Sequence, residues 1–568
     1  MEKKEKHLIH KITHFAFQLT RKTPTLSEKN NSIPHNSIPH NSTHTSTHNK
    51  VVGLVKDSTY NKVVCLVKDS TYNKVIGLES QLSDILFSIK GYLFISDNQE
   101  EINKYLTLLC TLYKLIAYTR DIYDGKGERD LTYMMITVWY NLFPQFARFM
   151  FEQLAVNHFS SWKDAKYLCH YVKYRTQILS EEQKETFIQD IVQIMNQQLY
   201  RDFVTYSNAT ISWIAKWIPR EKSKFSWLYE CLVKNWKENY EILHKNPYKN
   251  YRKILTSLNQ ILDTPQIKQC ERRPEEIDYY KVSLVTKYKN SRYFLQHPSK
   301  TTNPTTTTTK HSKNIHYDVG ELCQDTINDK TIQIWDKIRE NLLEKQTDIF
   351  FLPILDMTTN DPNTQTNGIA ISILLSEISQ NRMMAYDQTN SFWISLENQY
   401  TLSDKILEIE KYTLNPHYYT ENNLQNNLQT HKSKHHYIKS IECIIKSIIE
   451  TKLSVDKMER MYLIFISDFA NREIEHYSLI QSVFYSHGII HLPHIVYWNI
   501  SNNPTVPLPC SATTPNVTFL AGTSSINIQH LLQFSNKTTN PYTFLKHIVD
   551  QEKYNLFENY IRDLGNIE

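Results

Sequence analysis

The spacing of the apolar residues changes once along this 568-residue chain, and the change limits the folds that it can adopt. Between about residues 81 and 297, apolar residues recur every three or four positions, as in "EINKYLTLLCTLYKLIAY", which predicts amphipathic helices. Beyond the threonine-rich stretch 298–314, apolar runs of strand length alternate with helical segments. This alternation predicts a mostly parallel sheet covered by helices. The sequence therefore predicts a multidomain protein with an α-helical repeat (HEAT-like) stack followed by an α/β domain.

Two stretches of biased composition complete the predicted division of the chain. Short repeats, including "NSIPHNSIPH" and "KVVGLVKDSTYN", lie within the first 80 residues and match no known solenoid unit, so we assign no function to them. The block rich in Asn, Ser, Thr, Pro and His is predicted to be disordered because it cannot bury enough apolar surface. The predicted domains are a low-complexity, repetitive N-terminal tail over 1–80, a helical repeat domain over 81–297, a threonine-rich linker or loop over 298–314, connecting helices over 315–345, an α/β domain over 346–540 and a C-terminal helix over 541–568.

A bend of unusual charge follows the first long helix of the repeat domain. Within residues 120–130, "RDIYDGKGERD", there are seven charged side chains and two of the ten glycines of the chain. A glycine closes a helix readily in the left-handed conformation, and acidic residues favour the start of the next helix. We predict a structural hinge braced by ion pairs, with a binding loop as the alternative, and the missing G-x-x-x-x-G-K-[ST] motif excludes a phosphate-binding loop. The hinge residues are Arg120, Asp121, Gly125, Gly127, Arg129 and Asp130.

A second dense segment mixes aromatic and basic residues. In "ISWIAKWIPREKSKFSWLYECLVKNWK", tryptophans and a phenylalanine alternate with lysines and an arginine, and residues 216–253 hold ten Lys or Arg against four Glu. Basic side chains neutralise phosphates and aromatic faces stack on unpaired bases, so this composition suits single-stranded nucleic acid. The alternative is that the aromatic residues are core and the lysines a solvated helix face. The predicted RNA-binding residues are Lys216, Arg220, Lys222 and Lys224, interleaved with Trp213, Trp217, Phe225 and Trp227.

Two aspartates follow strongly apolar strands of the predicted sheet. "DIFFLPILDM" predicts a strand that ends in Asp356, and "MYLIFISD" predicts a strand that ends in Asp468. Ligand sites of open parallel sheets lie beyond the carboxyl ends of the strands. We therefore expect Asp356 and Asp468 to lie at the same edge of the sheet.

The chain resembles an uncharacterised family, domain of unknown function 2828, found in giant viruses of the mimivirus type, plants and fungi. The residues that carry this resemblance lie in order between about 100 and 535. They are "TRDIYDGKGERDL", "SSWKDAKYL", "IAKWIPREKSK", "YRKILTSL", "LPILDMTTN", "FISDF" and "HIVYWNI". The layout of that family is similar to the Ro autoantigen type of RNA-binding protein, which implies a helical-repeat ring followed by a von Willebrand A-like (Rossmann-type) domain.

The von Willebrand A likeness implies a metal site that can be compared residue by residue. Such domains hold Mg²⁺ through D-x-S-x-S after the first strand, a threonine on a second loop and an aspartate after a later strand. Asp356 and Asp468 match the aspartates and Thr358 replaces the first serine, but Asn360 stands at the second serine. The histidines at 435–436 fall near the expected threonine, and imidazole is a poor ligand for Mg²⁺. We predict a degenerate site of Asp356, Thr358 and Asp468, with an intact Mg²⁺ site as the alternative and no other cofactor.

Two classes of function fit these observations. The favoured one is a non-catalytic binding or scaffold protein, with RNA on the basic helical surface and a protein partner on the α/β domain. The alternative is a metal-dependent phosphoryl-transfer enzyme that uses Asp356 and Asp468, although the second aspartate of that class would fall at position 358, which is Thr. The eight cysteines include no C-x-x-C pair, and no apolar run approaches the ~20 residues that cross a bilayer. We therefore expect an intracellular protein of the host cytoplasm without membrane contact, and packaging in a virion stays open.

Overall fold

The computed structural model describes residues 2–20, 77–206, 210–240, 246–277, 319–323, 329–345, 348–359, 361–414, 437–469, 476–501, 506–534 and 540–565. These residues form two compact units. One unit combines Met1–Met135 with Ile315–Glu568, and the other is Ile136–Asn314. A helical region thus precedes an α/β sheet, as the sequence predicts at this level of detail.

The helices and strands of the described residues are as follows. Before the sheet lie α1 (Glu2–Gln18), α2 (77–95), α3 (Gln99–Arg120), α4 (Asp130–Leu142), α5 (Pro144–Val156), α6 (Lys163–Tyr174), α7 (Glu181–Thr205), α8 (Ile214–Trp217), α9 (Ser226–Tyr240), α10 (Pro247–Leu262), α11 (Pro265–Cys270), a 3₁₀ turn (Pro274–Glu276), α12 (Val319–Cys323) and α13 (Asp329–Leu343). The remainder comprises β1 (Phe350–Asp356), α14 (Pro362–Glu377), β2 (Arg382–Tyr386), β3 (Ser391–Ser395), α15 (Leu402–Leu414), α16 (Tyr437–Glu450), α17 (Val455–Glu459), β4 (Met461–Ser467), α18 (His476–Ser486), β5 (His494–Asn499), β6 (Val517–Ala521), α19 (Ile526–Phe534), α20 (Pro541–Val549), a 3₁₀ turn (Glu552–Tyr554) and α21 (Asn555–Gly565).

The sheet has six strands in the order β3-β2-β1-β4-β5-β6. Strand β3 runs antiparallel to β2, and the other neighbours are parallel. Strands β4, β5 and β6 are buried along their whole length, which explains why their sequences are continuous apolar runs rather than alternating ones. From β1 the chain goes to β2 on one side, and from β4 it goes to β5 on the other. The point where the strand order reverses therefore lies between β1 and β4.

The N-terminal helix α1 packs into the same unit as the sheet. Its buried residues recur at helical spacing, and the Phe17 ring lies 5.0 Å from that of Phe519 in β6 and 5.8 Å from that of Phe469. The Asn499 side chain donates a hydrogen bond of 2.7 Å to the carbonyl of Phe17, which satisfies an acceptor at the end of the helix. A folded element therefore opens the stretch that the sequence predicts as a tail, and the repeats after it lie outside the described residues.

Helix α3 also belongs to the unit with the sheet, although its sequence was assigned to the helical repeats. Residues 108–120 are all buried, because α1, α20 and α21 pack around this helix. The spacing in this helix predicts one buried face, but the structure buries residues 108–120 on every side, and spacing alone cannot tell which elements cover a helix. The compact units thus divide the chain differently from the predicted domains.

The second unit is built from helices packed against their neighbours in sequence. Helix α7 contacts α6 and α9, and α9 contacts α10. At its centre Asn196 donates 2.9 Å to the carbonyl of Leu232 and accepts a hydrogen bond of 2.9 Å from the hydroxyl of Tyr251. These bonds satisfy polar groups in an apolar core and link three helices. In the described part of the chain, no helix combines the length and the apolar character needed to cross a membrane.

Candidate functional site

Lysines from two segments of the helical unit converge on a group of aromatic rings. Helix α6 presents Lys163, Lys166 and Lys173 at intervals of three and seven residues, so they share one face of the helix. The segment around α8 supplies further lysines and the tryptophans predicted from the sequence. We term this the lysine–aromatic surface. Its members are Lys163, Lys166, Tyr167, Lys173, Tyr174, Trp213, Lys216, Trp217, Lys224, Phe225 and Trp227.

The ammonium groups of this surface lie over the aromatic rings. Three of them surround the half-buried Trp217 ring, with the Nζ atoms of Lys163, Lys166 and Lys216 at 5.4, 5.2 and 5.4 Å from the ring centroid. The quadrupole of an aromatic ring attracts a cation at such distances. The rings therefore help to hold several positive charges close together.

The same geometry recurs at two further rings. Lys173 Nζ lies 4.3 Å from the centroid of the Trp227 ring, and Lys216 Nζ lies 4.7 Å from that of Trp213. The Trp213 side chain is 47% exposed, whereas Phe225 is only 4% exposed. Of the two, only Trp213 keeps a face that a ligand can reach.

Few carboxylates balance these charges. Among the described residues, Lys166, Lys173 and Lys224 take part in no ion pair, and Lys216 bonds at 3.2 Å to the neutral amide oxygen of Gln266. Some basic side chains elsewhere in the unit do have acidic partners, as Arg252 does in its 3.2 Å contact with Glu221. Three lysines of the lysine–aromatic surface, Lys166, Lys173 and Lys224, therefore carry charge that no carboxylate of the described residues pairs with.

The pKa values of its lysines reflect this crowding. Burial lowers the pKa of Lys166 from its usual value, and the nearby charge of Lys224 lowers it further. Burial alone lowers the pKa of Lys216. Each shift means that the charged form is less favourable here than in water. An anion on this surface would relieve both effects.

The four basic residues predicted from the sequence occupy different positions. Lys216 and Lys224 belong to the lysine–aromatic surface, and Lys224 Nζ lies 5.1 Å from the Phe225 ring centroid. Arg220 and Lys222 are exposed in the loop between them. The sequence reasoning missed the three lysines of α6. Their regular placement beside Tyr167 and Tyr174 in "KDAKYLCHYVKY" was the signal that could have found them.

The predicted metal residues lie at the point where the strand order reverses. Strands β1 and β4 pair in parallel with Leu355 opposite Ile466. In this register Asp356 lies opposite Ser467, and Asp468 is the next residue after Ser467. Asp356 Oδ2 accepts a hydrogen bond of 2.6 Å from the Ser467 hydroxyl. Asp356 Oδ1 accepts a hydrogen bond of 3.0 Å from the backbone N–H of Thr358 and another of 2.7 Å from the Thr358 hydroxyl. Both oxygens of this buried carboxylate therefore accept hydrogen bonds from the protein.

The described donors that meet at this edge are the two carboxylate oxygens of Asp356 and the hydroxyls of Thr358 and Ser467. Mg²⁺ requires near-octahedral oxygen ligands. No group of three or more His, Cys, Asp or Glu side chains that could hold a metal ion exists within the ranges that the structure describes. Asn360 and the histidines at 435–436, which stand where the von Willebrand A motif has a serine and a threonine, lie outside those ranges.

The charged bend is a docking point for the C-terminal segment. Asp121, 1% exposed, accepts hydrogen bonds at Oδ2 from the Lys553 ammonium at 2.7 Å and from the Tyr554 hydroxyl at 2.8 Å. Its Oδ1 accepts from the backbone N–H groups of Tyr123 and Asp124 at 2.9 and 3.2 Å. Burial raises the pKa of the Tyr554 phenol well above its ordinary value, and the charge of Asp121 beside it raises that pKa further.

The other hinge residues divide between the interior and the surface. Arg120 is buried and donates 3.4 Å to the carbonyl of Gly127, which has a positive φ of 70°. A Cβ at Gly125 would lie 2.1 Å from the carbonyl oxygen of Tyr118, so only glycine fits there. The side chains of Arg129 and Asp130 are exposed.

Comparisons with known proteins correct the family resemblance. No curated protein matches the chain. The resemblance to domain of unknown function 2828 is wrong, because the family model that matches is a different one, and the comparison with the Ro autoantigen type falls with it. The motifs in the helical half, such as "TRDIYDGKGERDL", lie outside the matched residues. The match covers residues 354–558, from the end of β1 to the first turn of α21, and is to the family described as Domain of unknown function (DUF7788).

Proposed function

We propose that this protein is a non-catalytic binding protein that holds single-stranded RNA on the lysine–aromatic surface. One observation carries the proposal. Ammonium groups from α6 and from the segment around α8 gather over aromatic rings, and Lys166, Lys173 and Lys224 have no acidic partner among the described residues. Phosphates would supply the missing negative charge.

The aromatic content favours single strands over duplexes. The bases of a duplex are stacked inside it, whereas unpaired bases can stack on an exposed ring such as Trp213. A surface that recognised only the phosphates of a duplex would have no use for the exposed face of Trp213. The combination is typical of proteins that bind unpaired strands with little sequence preference.

The α/β domain is proposed as a von Willebrand A-like module that docks a protein partner without a tightly bound metal. Its support is the strand order with the reversal between β1 and β4, and the aspartates Asp356 and Asp468 that follow those two strands. The hydrogen bonds that Asp356 accepts from Thr358 and Ser467 offset its charge without a cation. This favours the degenerate form of the site.

Fluorescence anisotropy with a labelled single-stranded RNA tests the binding proposal. Affinity should fall steeply between about 50 and 200 mM salt, because each phosphate contact releases counterions. The double variant Lys166→Glu with Lys224→Glu should weaken binding and lower the slope of log K against log salt by about 1 per lysine. A matched control is Lys337→Glu with Lys446→Glu, which makes the same charge change at exposed positions of the other unit.

Three results would contradict the proposal. They are no binding at about 50 mM salt, equal affinity for duplex and single strand, and equal loss of affinity in both double variants. The last result would mean that only the net charge of the protein matters.

A further inference from the structure

The two tryptophans at either end of helix α8 differ in their surroundings. The half-buried Trp217 ring has the ammonium groups of Lys163, Lys166 and Lys216 within 5.4 Å of its centroid. The Trp213 ring has one ammonium group, that of Lys216 at 4.7 Å, and is 47% exposed. Cations thus occupy the region over Trp217, while Trp213 keeps open surface.

Lysines that crowd one another and form no ion pair favour an anion. Lys166 senses the charge of Lys224, which contributes to the lowering of its pKa. Within the described ranges neither of these lysines forms an ion pair. Lysine binds phosphate as a point charge, and several such charges around one ring can hold a phosphodiester group.

An exposed indole next to a cation is suited to a different contact. Trp213 offers a large flat face, and stacking on such a face is open to every base. Trp213 is the N-cap residue of the short helix α8, and Trp217 is the last residue of that helix. Lys216 lies beside both rings, at 4.7 and 5.4 Å from their centroids. The two contacts are therefore adjacent.

We infer that the lysine–aromatic surface divides its contacts, with the lysines around Trp217 binding backbone phosphates and Trp213 stacking on a neighbouring unpaired base. This inference rests on the proposed RNA binding and assigns its residues. Trp217 acts by positioning the lysines rather than by touching a base. The competing arrangements are that both tryptophans stack on bases, or that the lysines bind a compact polyanion and no base.

Two oligomers of the same phosphate number separate these arrangements. One is a uridine oligonucleotide of about 12 residues, within the range of common single-strand sites, and the other is the same chain without bases. Trp213→Leu should weaken binding of the oligonucleotide at least about fivefold, the lower end of base–aromatic stacking. It should leave the salt slope and the affinity for the abasic chain unchanged. Trp393→Leu is the matched control, because that tryptophan is 43% exposed in the other unit.

The lysine half of the inference has its own variant. Lys166→Gln should lower the salt slope by about 1 for both oligomers, because it removes a phosphate contact that both share. The midpoint temperatures of thermal unfolding of Trp213→Leu and Lys166→Gln should match that of the unaltered protein, since both side chains reach solvent. Trp217→Leu should lower the salt slope with both oligomers, as expected for loss of lysine positioning.

The outcomes are distinguishable. If the unaltered protein binds neither oligomer, the proposed function fails and this inference with it. If it binds both, but Trp213→Leu weakens both equally or neither, the RNA proposal stands and the division of contacts is wrong. If Trp217→Leu weakens only the oligonucleotide, both tryptophans stack on bases. Equal binding of both oligomers and of inorganic polyphosphate, unaffected by Trp213→Leu, identifies a compact polyanion site and overturns the assignment of a base contact.

Discussion

The bend at 120–130 and the lysine–aromatic surface are both rich in charge, but they differ in what neutralises that charge. At the bend, buried Asp121 accepts hydrogen bonds from Lys553, from Tyr554 and from two backbone N–H groups. On the lysine–aromatic surface, Lys166 and Lys224 lie close enough to repel each other, and both ammonium groups lie over the Phe225 ring. Neither has an acidic partner in the described parts of the chain. Satisfied buried charge indicates a structural role, and uncompensated charge at a surface indicates a role in binding.

The largest effect is expected at the bend. Replacing Asp121 with alanine leaves the Tyr554 hydroxyl and two N–H groups without their acceptor and leaves the Lys553 ammonium with Asp124 alone, and should lower the free energy of unfolding by about 2–4 kcal/mol. Denaturant titration followed by circular dichroism measures this. The controls are Arg129→Ala and Asp130→Ala, whose exposed side chains predict smaller losses, of at most about 1 kcal/mol.

Equal losses in all three variants would contradict the assignment of the bend's stability to Asp121. A loss below about 1 kcal/mol for Asp121→Ala would show that solvent replaces its partners. In that case the contrast between the two charged regions would disappear.

A buried histidine gives an intermediate effect that depends on pH. His494 stacks on Tyr462 at 4.4 Å between ring centroids and hydrogen-bonds to Asn516 at 2.9 Å and to Thr518 at 2.8 Å. Burial lowers its pKa to about 4 from 6.5, so the folded protein resists a proton that the unfolded chain accepts. This contribution to stability is complete above pH 6.5 and falls as the pH drops to about 4, by about 3 kcal/mol in total.

Denaturant unfolding of the unaltered protein and of His494→Gln across this pH range isolates the contribution. Glutamine keeps an amide for hydrogen bonding but does not titrate, so carboxylates affect both proteins alike. The unaltered protein should lose more stability than the variant as the pH falls. Parallel curves would mean that His494 becomes protonated without cost in the folded state.

The smallest effect, of opposite sign, is expected on the lysine–aromatic surface. Lys166→Met keeps an apolar stem over the rings but removes a charge that burial and Lys224 disfavour. The free energy of unfolding should stay the same or rise by up to about 0.5 kcal/mol, the size of a like-charge repulsion. The contrasting control is Lys104→Met, which loses an exposed pair with Glu100. A clear loss of stability in Lys166→Met would make the surface a structural element like the bend.

The sequence predicted these two regions to different depths. Glycines and alternating charges mark the bend, but they do not distinguish the buried Asp121 from the exposed Arg129 and Asp130. The side chains that donate to Asp121, those of Lys553 and Tyr554, are more than 400 positions away, and no local pattern points to them. The basic segment 213–227 was recognised from composition, whereas the lysines of α6 that complete it come from a separate helix.

By itself the sequence determined that a helical region precedes a region of alternating strands and helices, and that the strands β1 and β4 end near Asp356 and Asp468. Those properties follow from the spacing of apolar residues along a few turns of backbone, which is local information. Only the tertiary structure decided that α1 and α3 cover the sheet unit, that Asp121 accepts from Lys553, and that three lysines surround Trp217. Such contacts join residues far apart in the chain, and a local pattern shows that a face will be buried without showing what will bury it.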